Sequence, residues 1–213
     1  MCVNFQSPTK GEFQQYFAVD CPSEMDSLEI WQDYCAPIIL NDDDDQRIAV
    51  SASFGLVPQH HKPIGVKHLS TMNARAETIS SLRNYKPFWQ ACQLCLVPAK
   101  YIYEPCYASG TAMRWQIGMA DGQPFAIAGL WRTWSGRGGV VECAFTQITI
   151  NADTHPLMSR FHKPLDEKRM VAIIAPSDYE AWLRCRNPAV AATFLKPYPA
   201  EWMTAQASPL KRR

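Results

Sequence analysis

The chain has 213 residues, 47% of them hydrophobic, and its 21 lysines and arginines nearly balance 20 acids for a formal net charge of +1. That length and apolar fraction suffice for one sizeable core, and no low-complexity stretch interrupts it, so a single domain over residues 1–213 is expected. No run of about 18 apolar residues occurs, and residues 1–12 have neither a basic start nor an apolar stretch. A membrane span and a secretory leader are thus not expected.

The balance conceals a division. Residues 1–45 carry ten acids and one base, net −9, and residues 46–213 carry twenty bases and ten acids, net +10. The second part includes Arg75, Arg83, Lys86, Arg132, Arg137, Arg160, Lys163, Lys168 and Arg169. It could present a groove to a polyanion such as nucleic acid, with solvated surface charge as the alternative.

In chain order, Cys2 comes first. Removal of Met1 would place an α-amine and a thiol on one residue. An α-amine has a pKa of about 7.7–8.0 against about 10.4 for lysine, so much more of it is unprotonated at neutrality. Such an amine forms imines with aldehydes, and the adjacent thiol can add to the same carbon and close a five-membered thiazolidine. Alone, Cys2 is more simply read as a small residue of no special role.

A short strand is expected around Val3–Phe5, and Thr9 with Glu12 reads as a capping box opening a helix with Phe13, Tyr16 and Phe17 on one face. Asp42 to Asp45 read as a solvated turn. Ile48, Val50, Ala52, Phe54 and Leu56 alternate as in a half-buried strand that Pro58 ends. A loop over residues 59–70 carries His60, His61 and His68, read as solvent-exposed rather than metal-bound. Asn73 is expected to cap a helix to about Asn84, with Arg75 and Arg83 two turns apart.

Strands are then expected at 94–97, 101–104, 114–119, 124–131, 141–150 and 171–175, separated by turn signals such as Ser109-Gly110 and Asp121-Gly122. Ser177 with Glu180 reads as the cap of a helix holding Trp182, and Pro188 as the start of another ending near Leu195. Eight cysteines spread through a chain of this size are expected to be reduced. Cys92 and Cys95 have metal-type spacing but no second pair, so no metal is assigned. The fold class expected is α+β: a curved, mainly antiparallel, barrel-like sheet with peripheral helices.

Several segments now stand together: Met1-Cys2, Met72-Asn73-Ala74-Arg75-Ala76-Glu77-Thr78, Cys95-Leu96-Val97-Pro98-Ala99 leading to Tyr103-Glu104, and Arg160-Phe161-His162 before Arg169-Met170. With Phe54-Gly55-Leu56-Val57-Pro58 and Tyr198-Pro199-Ala200-Glu201-Trp202-Met203, they resemble, in order and over nearly the whole chain, the SRAP family. These are SOS-response-associated peptidase-like proteins that shield abasic sites in single-stranded DNA.

The resemblance implies a thiazolidine crosslink between Cys2 and the ring-opened abasic sugar, with an associated lyase activity from the same imine. It implies proton shuttling by Glu104, a hold on the N-terminal residue and sugar by Asn73, and contact with the opened sugar or its phosphate by His162. Arg75, Arg83, Lys86 and Phe54 are implied as DNA contacts, single-stranded DNA with abasic sites as the partner, no cofactor or metal, and a cytoplasmic, nucleoid-associated monomer. The usual Cys-Gly-Arg start is replaced by Cys2-Val3-Asn4, Pro105 follows the glutamate where an aromatic is usual, and Phe54 stands where tryptophan is common. A thiol peptidase using Cys2 and a DNA-binding module without chemistry are the competing readings.

Overall fold

The computed structural model describes residues 2–22, 27–66 and 69–210; Met1 and His68, both considered above, lie outside them. The first strands are β1 (Phe5–Gln6), β2 (Glu29–Ile30), β3 (Cys35–Asn41), β4 (Arg47–Phe54) and β5 (Asn73–Arg75). The longer central ones are β6 (Leu94–Ala99), β7 (Tyr101–Cys106), β8 (Met113–Met119), β9 (Phe125–Ser135) and β10 (Val141–Asn151). Three short strands, β11 (Arg169–Val171), β12 (Ile173–Ile174) and β13 (Met203–Ala207), complete the set. The α-helices are α1 (Lys10–Phe17), α2 (Lys86–Gln90), α3 (Tyr179–Leu183) and α4 (Pro188–Thr193).

Strands β3, β4, β6, β9 and β10 close on themselves. β4–β3, β3–β6, β6–β9 and β9–β10 pair antiparallel, and the parallel β10–β4 pairing completes the ring. Closure leaves no free edge within the ring. Its interior is apolar: Phe54 stacks on Phe145 at 5.2 Å, and Phe5 meets Phe54 edge-on at 5.3 Å. Gly129 on β9 is required by closeness, since a Cβ there would lie 2.7 Å from Cys95 Sγ and 3.0 Å from the Thr146 carbonyl.

A second antiparallel sheet, ordered β13-β8-β7-β1-β2, leans on this barrel. Only Lys100 separates β6 from β7, so the chain passes from barrel to second sheet within one residue. The expected α+β architecture with a barrel-like sheet is observed. The central strands fall within a few residues of their expected places because apolar runs and the turn residues that bound them are both local signals.

Helix α1 has the complete capping box, with the Thr9 side chain accepting from the Glu12 N–H and the Glu12 carboxylate accepting from the Thr9 N–H, and it buries Phe13 and Phe17. Three expectations are corrected. Asn73 caps no helix: Asn73–Arg75 pair in parallel with β10, and residues 76–85 form successive turns before α2. The Ala76 N–H donates to the Thr149 carbonyl on β10, so a long-range ladder claims the backbone that a helix would have used. Ser177 is not a helix cap either, because a 3₁₀ turn over Pro176–Asp178 intervenes and Asp178 occupies the cap without a side-chain bond. The expected strand at 171–175 is divided between β11, on β10, and β12, on β9.

Part of the charge asymmetry is internal pairing. Glu12 meets Lys100, Glu29 meets Arg114 and Asp45 meets Arg186. No helix among the described residues is long and apolar enough to cross a membrane.

Candidate active site

Cys2 is placed by the sheet beside the barrel. β1 pairs antiparallel with β7 in the register Phe5↔Ile102, and the Tyr103 N–H donates to the Asn4 carbonyl at 3.3 Å. Continuing that register backward carries Cys2 alongside Glu104 and Pro105. Cys2 is buried, and its thiol donates to the Asn4 carbonyl at 3.2 Å. Burial pushes the thiol pKa well up and the nearby Glu104 charge adds to the effect, so Sγ is held as a neutral thiol.

Asn73 reaches Cys2 from the other sheet. Its Nδ2 donates to the Cys2 carbonyl at 2.7 Å, while its own carbonyl accepts from the Tyr85 hydroxyl at 3.1 Å. The amide oxygen Oδ1 is buried without a hydrogen-bond partner among the described residues, which leaves one acceptor available to a donor not yet present.

Glu104 lies on β7 opposite Trp115 of β8 and is buried. Burial lifts its pKa to about 7. His162 Nδ1 stands 3.5 Å from Glu104 Oε2. The other ring nitrogen, Nε2, is 3.1 Å from the Arg169 carbonyl, which can only accept, so Nε2 carries a proton. Burial lowers the pKa of His162, which favours the neutral ring and leaves the Nδ1 lone pair facing Glu104. A protonated Glu104 therefore faces a ring nitrogen that can only accept, 3.5 Å away.

The backbone of His162 is in the left-handed region, with φ +65°, and its N–H donates to the Pro105 carbonyl at 2.8 Å. This conformation, uncommon outside glycine but commoner for histidine than for most residues, sets where the side chain leaves the backbone, and the Arg169 carbonyl holds the ring.

The structure brings Cys2, Asn73, Glu104 and His162 to one place where the two sheets meet. The expected DNA contacts are dispersed. Arg75 shares the strand face of Asn73, is 45% exposed and pairs with Glu167 at 2.8 Å. Arg83 and Lys86 are exposed in the turns before α2 and at its start. Phe54 is a correction: it is wholly buried between Phe5 and Phe145 and has no face to offer a base. Arg169 is also withdrawn from the expected basic surface, because it is buried against Glu77, Glu167 and the Thr149 carbonyl.

Several residues also have contacts that the sequence did not assign to them. Tyr85 holds the Asn73 backbone, and Arg169 supplies the carbonyl that fixes the His162 tautomer. Asn4, where the family usually has arginine, is buried with its amide donating to Glu29 at 2.7 Å. Glu142 gathers His60 and His61, which had been read as separate solvent-exposed side chains.

Fold and site together define a barrel-based α+β protein whose buried polar cluster is assembled around its amino-terminal cysteine. The family described as SOS response associated peptidase (SRAP) matches residues 1–210, and the chain belongs to that family. It is 32% identical over 204 residues to the abasic site processing protein YoaM of Bacillus subtilis, covering 92% of this chain and 78% of that one. It is 30% identical to the abasic site processing protein YoqW of the same organism, covering 78% and 71%. A crystal structure of a protein from Bordetella bronchiseptica superposes with a TM-score of 0.89 at 33% identity, over 98% of this chain and 100% of that one. Another, from Bacteroides thetaiotaomicron, shares the fold with a TM-score of 0.76 at 22% identity, over 97% and 91%.

Proposed function

We propose that this chain processes abasic sites in single-stranded DNA by joining Cys2, freed of Met1, to the ring-opened aldehyde of the abasic sugar. Relatives at 32% and 30% identity are named abasic site processing proteins. The observation that carries the reading is the buried carboxyl of Glu104, lifted to about 7 beside Cys2 and facing the Nδ1 of His162. A carboxyl with that pKa can donate and retrieve a proton at neutrality.

The steps follow from these groups. The α-amine adds to the aldehyde carbon, Glu104 protonates the departing hydroxyl, and water leaves to give the imine. The Cys2 sulfur then bonds to the same carbon while its proton passes, through Glu104, to the nitrogen, which closes the thiazolidine. Asn73 holds the Cys2 carbonyl during both additions, and its unpartnered Oδ1 is suited to accept from the released amine. The imine stage also permits removal of the sugar C2′ proton and loss of the 3′ phosphate, which is strand cleavage. Arg75, Arg83 and Lys86 would hold phosphates.

A thiol peptidase is less well supported by the same geometry. Burial keeps Cys2 protonated, its thiol points to the Asn4 carbonyl, and the His162 ring is directed at Glu104 and the Arg169 carbonyl. A peptidase thiol needs a base that deprotonates it.

The test is to mix protein lacking Met1 with a single-stranded oligonucleotide carrying one abasic site, alongside Cys2→Ala and an intact strand. A denaturation-resistant band with only the wild type and the abasic strand is expected. Equal bands from Cys2→Ala, or none from the wild type, would overturn the reading.

A further inference from the structure

We propose that His60, His61 and Glu142 form a binding site for a zinc-type transition-metal ion between the loop after β4 and the β9–β10 hairpin. The three donor atoms, one from each side chain, lie within 4.8 Å of one another. His60 Nε2 is 2.7 Å and His61 Nε2 3.1 Å from the same carboxylate oxygen, Glu142 Oε2. An ion at about 2.0–2.2 Å from nitrogen and oxygen donors requires them to stand roughly 3.0–3.4 Å apart, depending on whether the angle is octahedral or tetrahedral. Both histidine–carboxylate distances are near that spacing, and the two histidine donors lie within 4.8 Å of each other.

The surroundings hold the donors in place. His60 and His61 lie in a 3₁₀ turn, Gln59–His61, closed by the His61 N–H donating to the Pro58 carbonyl at 3.0 Å. The His61 ring stacks on Trp134 at 4.4 Å and 14°. Trp134 is fixed in turn by its indole N–H, which donates to the Leu56 carbonyl at 3.0 Å, and by the Arg132 guanidinium 3.5 Å from its ring. Glu142 sits directly opposite Trp134 in the β9–β10 ladder. Its other oxygen, Oε1, rests where a Cβ on Gly136 would come within 2.6 Å, so the absence of a side chain at Gly136 makes room for the carboxylate.

Two imidazoles and one carboxylate suit Zn²⁺, Co²⁺, Ni²⁺ or Cu²⁺ rather than Mg²⁺ or Ca²⁺, which prefer oxygen donors throughout. In a neutral imidazole, moving the single ring proton from Nε2 to Nδ1 frees the Nε2 lone pair without any net proton release. Three protein donors leave at least one position for water, and His60, 62% exposed, keeps the ion accessible. The site is separate from Cys2: Gln147, which pairs with Asn73, lies five residues further along β10 from Glu142, about 16 Å in a strand. Its chemistry is binding, and its mechanical consequence is to pin the 59–61 loop to the hairpin.

Equilibrium dialysis of the purified chain against Zn²⁺, with Mg²⁺ as comparison, tests the proposal. One bound Zn²⁺ per chain, no bound Mg²⁺ and a higher Tm with Zn²⁺ are expected. Affinity should fall at least about a hundredfold in His60→Ala/Glu142→Gln, and about tenfold in Gly136→Ala, which shifts the carboxylate but removes no donor. Because cysteines also bind these ions, Co²⁺ is used for a spectrum, which should lack thiolate-to-cobalt charge-transfer bands. No Zn²⁺ uptake by the wild type, unchanged affinity in the double variant, or a thiolate band from the bound Co²⁺ would each overturn the site.

Discussion

His162 Nδ1 lies 3.5 Å from Glu104 Oε2 with both side chains buried, and His162 Nε2 is committed to the Arg169 carbonyl. A carboxyl that titrates at about 7 thus faces an imidazole nitrogen that can only accept. In the proposed reaction the acid form of Glu104 expels water, so crosslinking should slow as pH rises above about 7. Below that, it should slow as the Cys2 amine becomes protonated. Glu104→Gln should be slower by about a hundredfold or more and should lose the alkaline fall, as single-turnover rates between pH 5 and 9 would reveal.

The same shift has a consequence for stability, with opposite sign to that of an ion-paired carboxylate. The folded pKa of Glu104, about 7, exceeds its ordinary 4.5. Below 4.5 the group is protonated in both states and costs nothing. Between 4.5 and 7 the unfolded chain ionises first, so stability falls as pH rises, by up to about 3 kcal/mol above pH 7. Glu104→Gln should therefore show a higher Tm than the wild type at pH 8 and little difference at pH 4. A Tm difference independent of pH would contradict the buried, protonated carboxyl.

Cys2→Ser separates the two bond-forming steps. The variant keeps the α-amine but replaces the thiol with a poorer nucleophile. It should form an imine that borohydride reduces to a stable adduct, while the adduct that survives denaturation without borohydride should drop by tenfold or more, roughly the difference expected from losing one positioned nucleophile. Strand cleavage should persist or increase, because the imine is no longer drained by ring closure. Equal adduct with and without reductant would show that sulfur is not involved.

Local patterns were legible where local physics decides. The Thr9–Glu12 box, the apolar strands from β6 to β10 set off by turn residues and the Pro188 helix start all concern residues a few positions apart. Asn73 was misread because Asn-Ala-Arg-Ala-Glu has the form of a helix start, whereas its backbone is taken by β10, more than seventy residues away. The cluster at Cys2 joins residues 2, 73, 104 and 162, and no spacing rule connects them; the family resemblance named them, and only the fold shows how they meet. Phe54 was assigned to DNA by its place in a motif, but a strand that closes a barrel turns one of its faces wholly inward. The meeting of His60, His61 and Glu142 depends on the β9–β10 register and had no sequence signal.

Burial distinguishes Phe54 from the arginines in a way that two assays can separate. Phe54→Ala should cost about 3–5 kcal/mol of folding free energy through lost contacts and a cavity, and should leave the salt dependence of DNA binding unchanged in the protein that remains folded. Arg75→Ala and Arg83→Ala should leave Tm within a few degrees. Each should weaken binding to single-stranded DNA and reduce the slope of log K against log salt by about 0.7. An unchanged slope in both arginine variants would place the DNA path elsewhere on the surface.

Arg169 links the stability of the barrel edge to the orientation of His162. Its guanidinium makes a two-point contact with Glu77, at 2.8 and 2.9 Å, and also reaches Glu167 and the Thr149 carbonyl, each at 2.8 Å. Removing it in Arg169→Met leaves Glu77 without its cation and Glu167 with Arg75 alone, at a cost of about 3 kcal/mol. That is the lower end for breaking a buried pair, since both carboxylates retain access to water. Arg169 holds the pKa of Glu77 below its usual value, so this contribution is present above the unfolded pKa and is lost as pH falls through the folded one. The variant's deficit in Tm should accordingly be full at pH 7 and shrink on acidification below about 4.5. Arg169→Lys should recover only part of it, because an ammonium cannot span both Glu77 oxygens in one plane. If the variants fold, the alkaline fall in crosslinking rate should move in Arg169→Met, where the carbonyl that sets the His162 tautomer is no longer anchored, and should stay near its original pH in Arg169→Lys. An identical pH profile in all three proteins would mean that Arg169 supports the fold without positioning the Glu104–His162 pair.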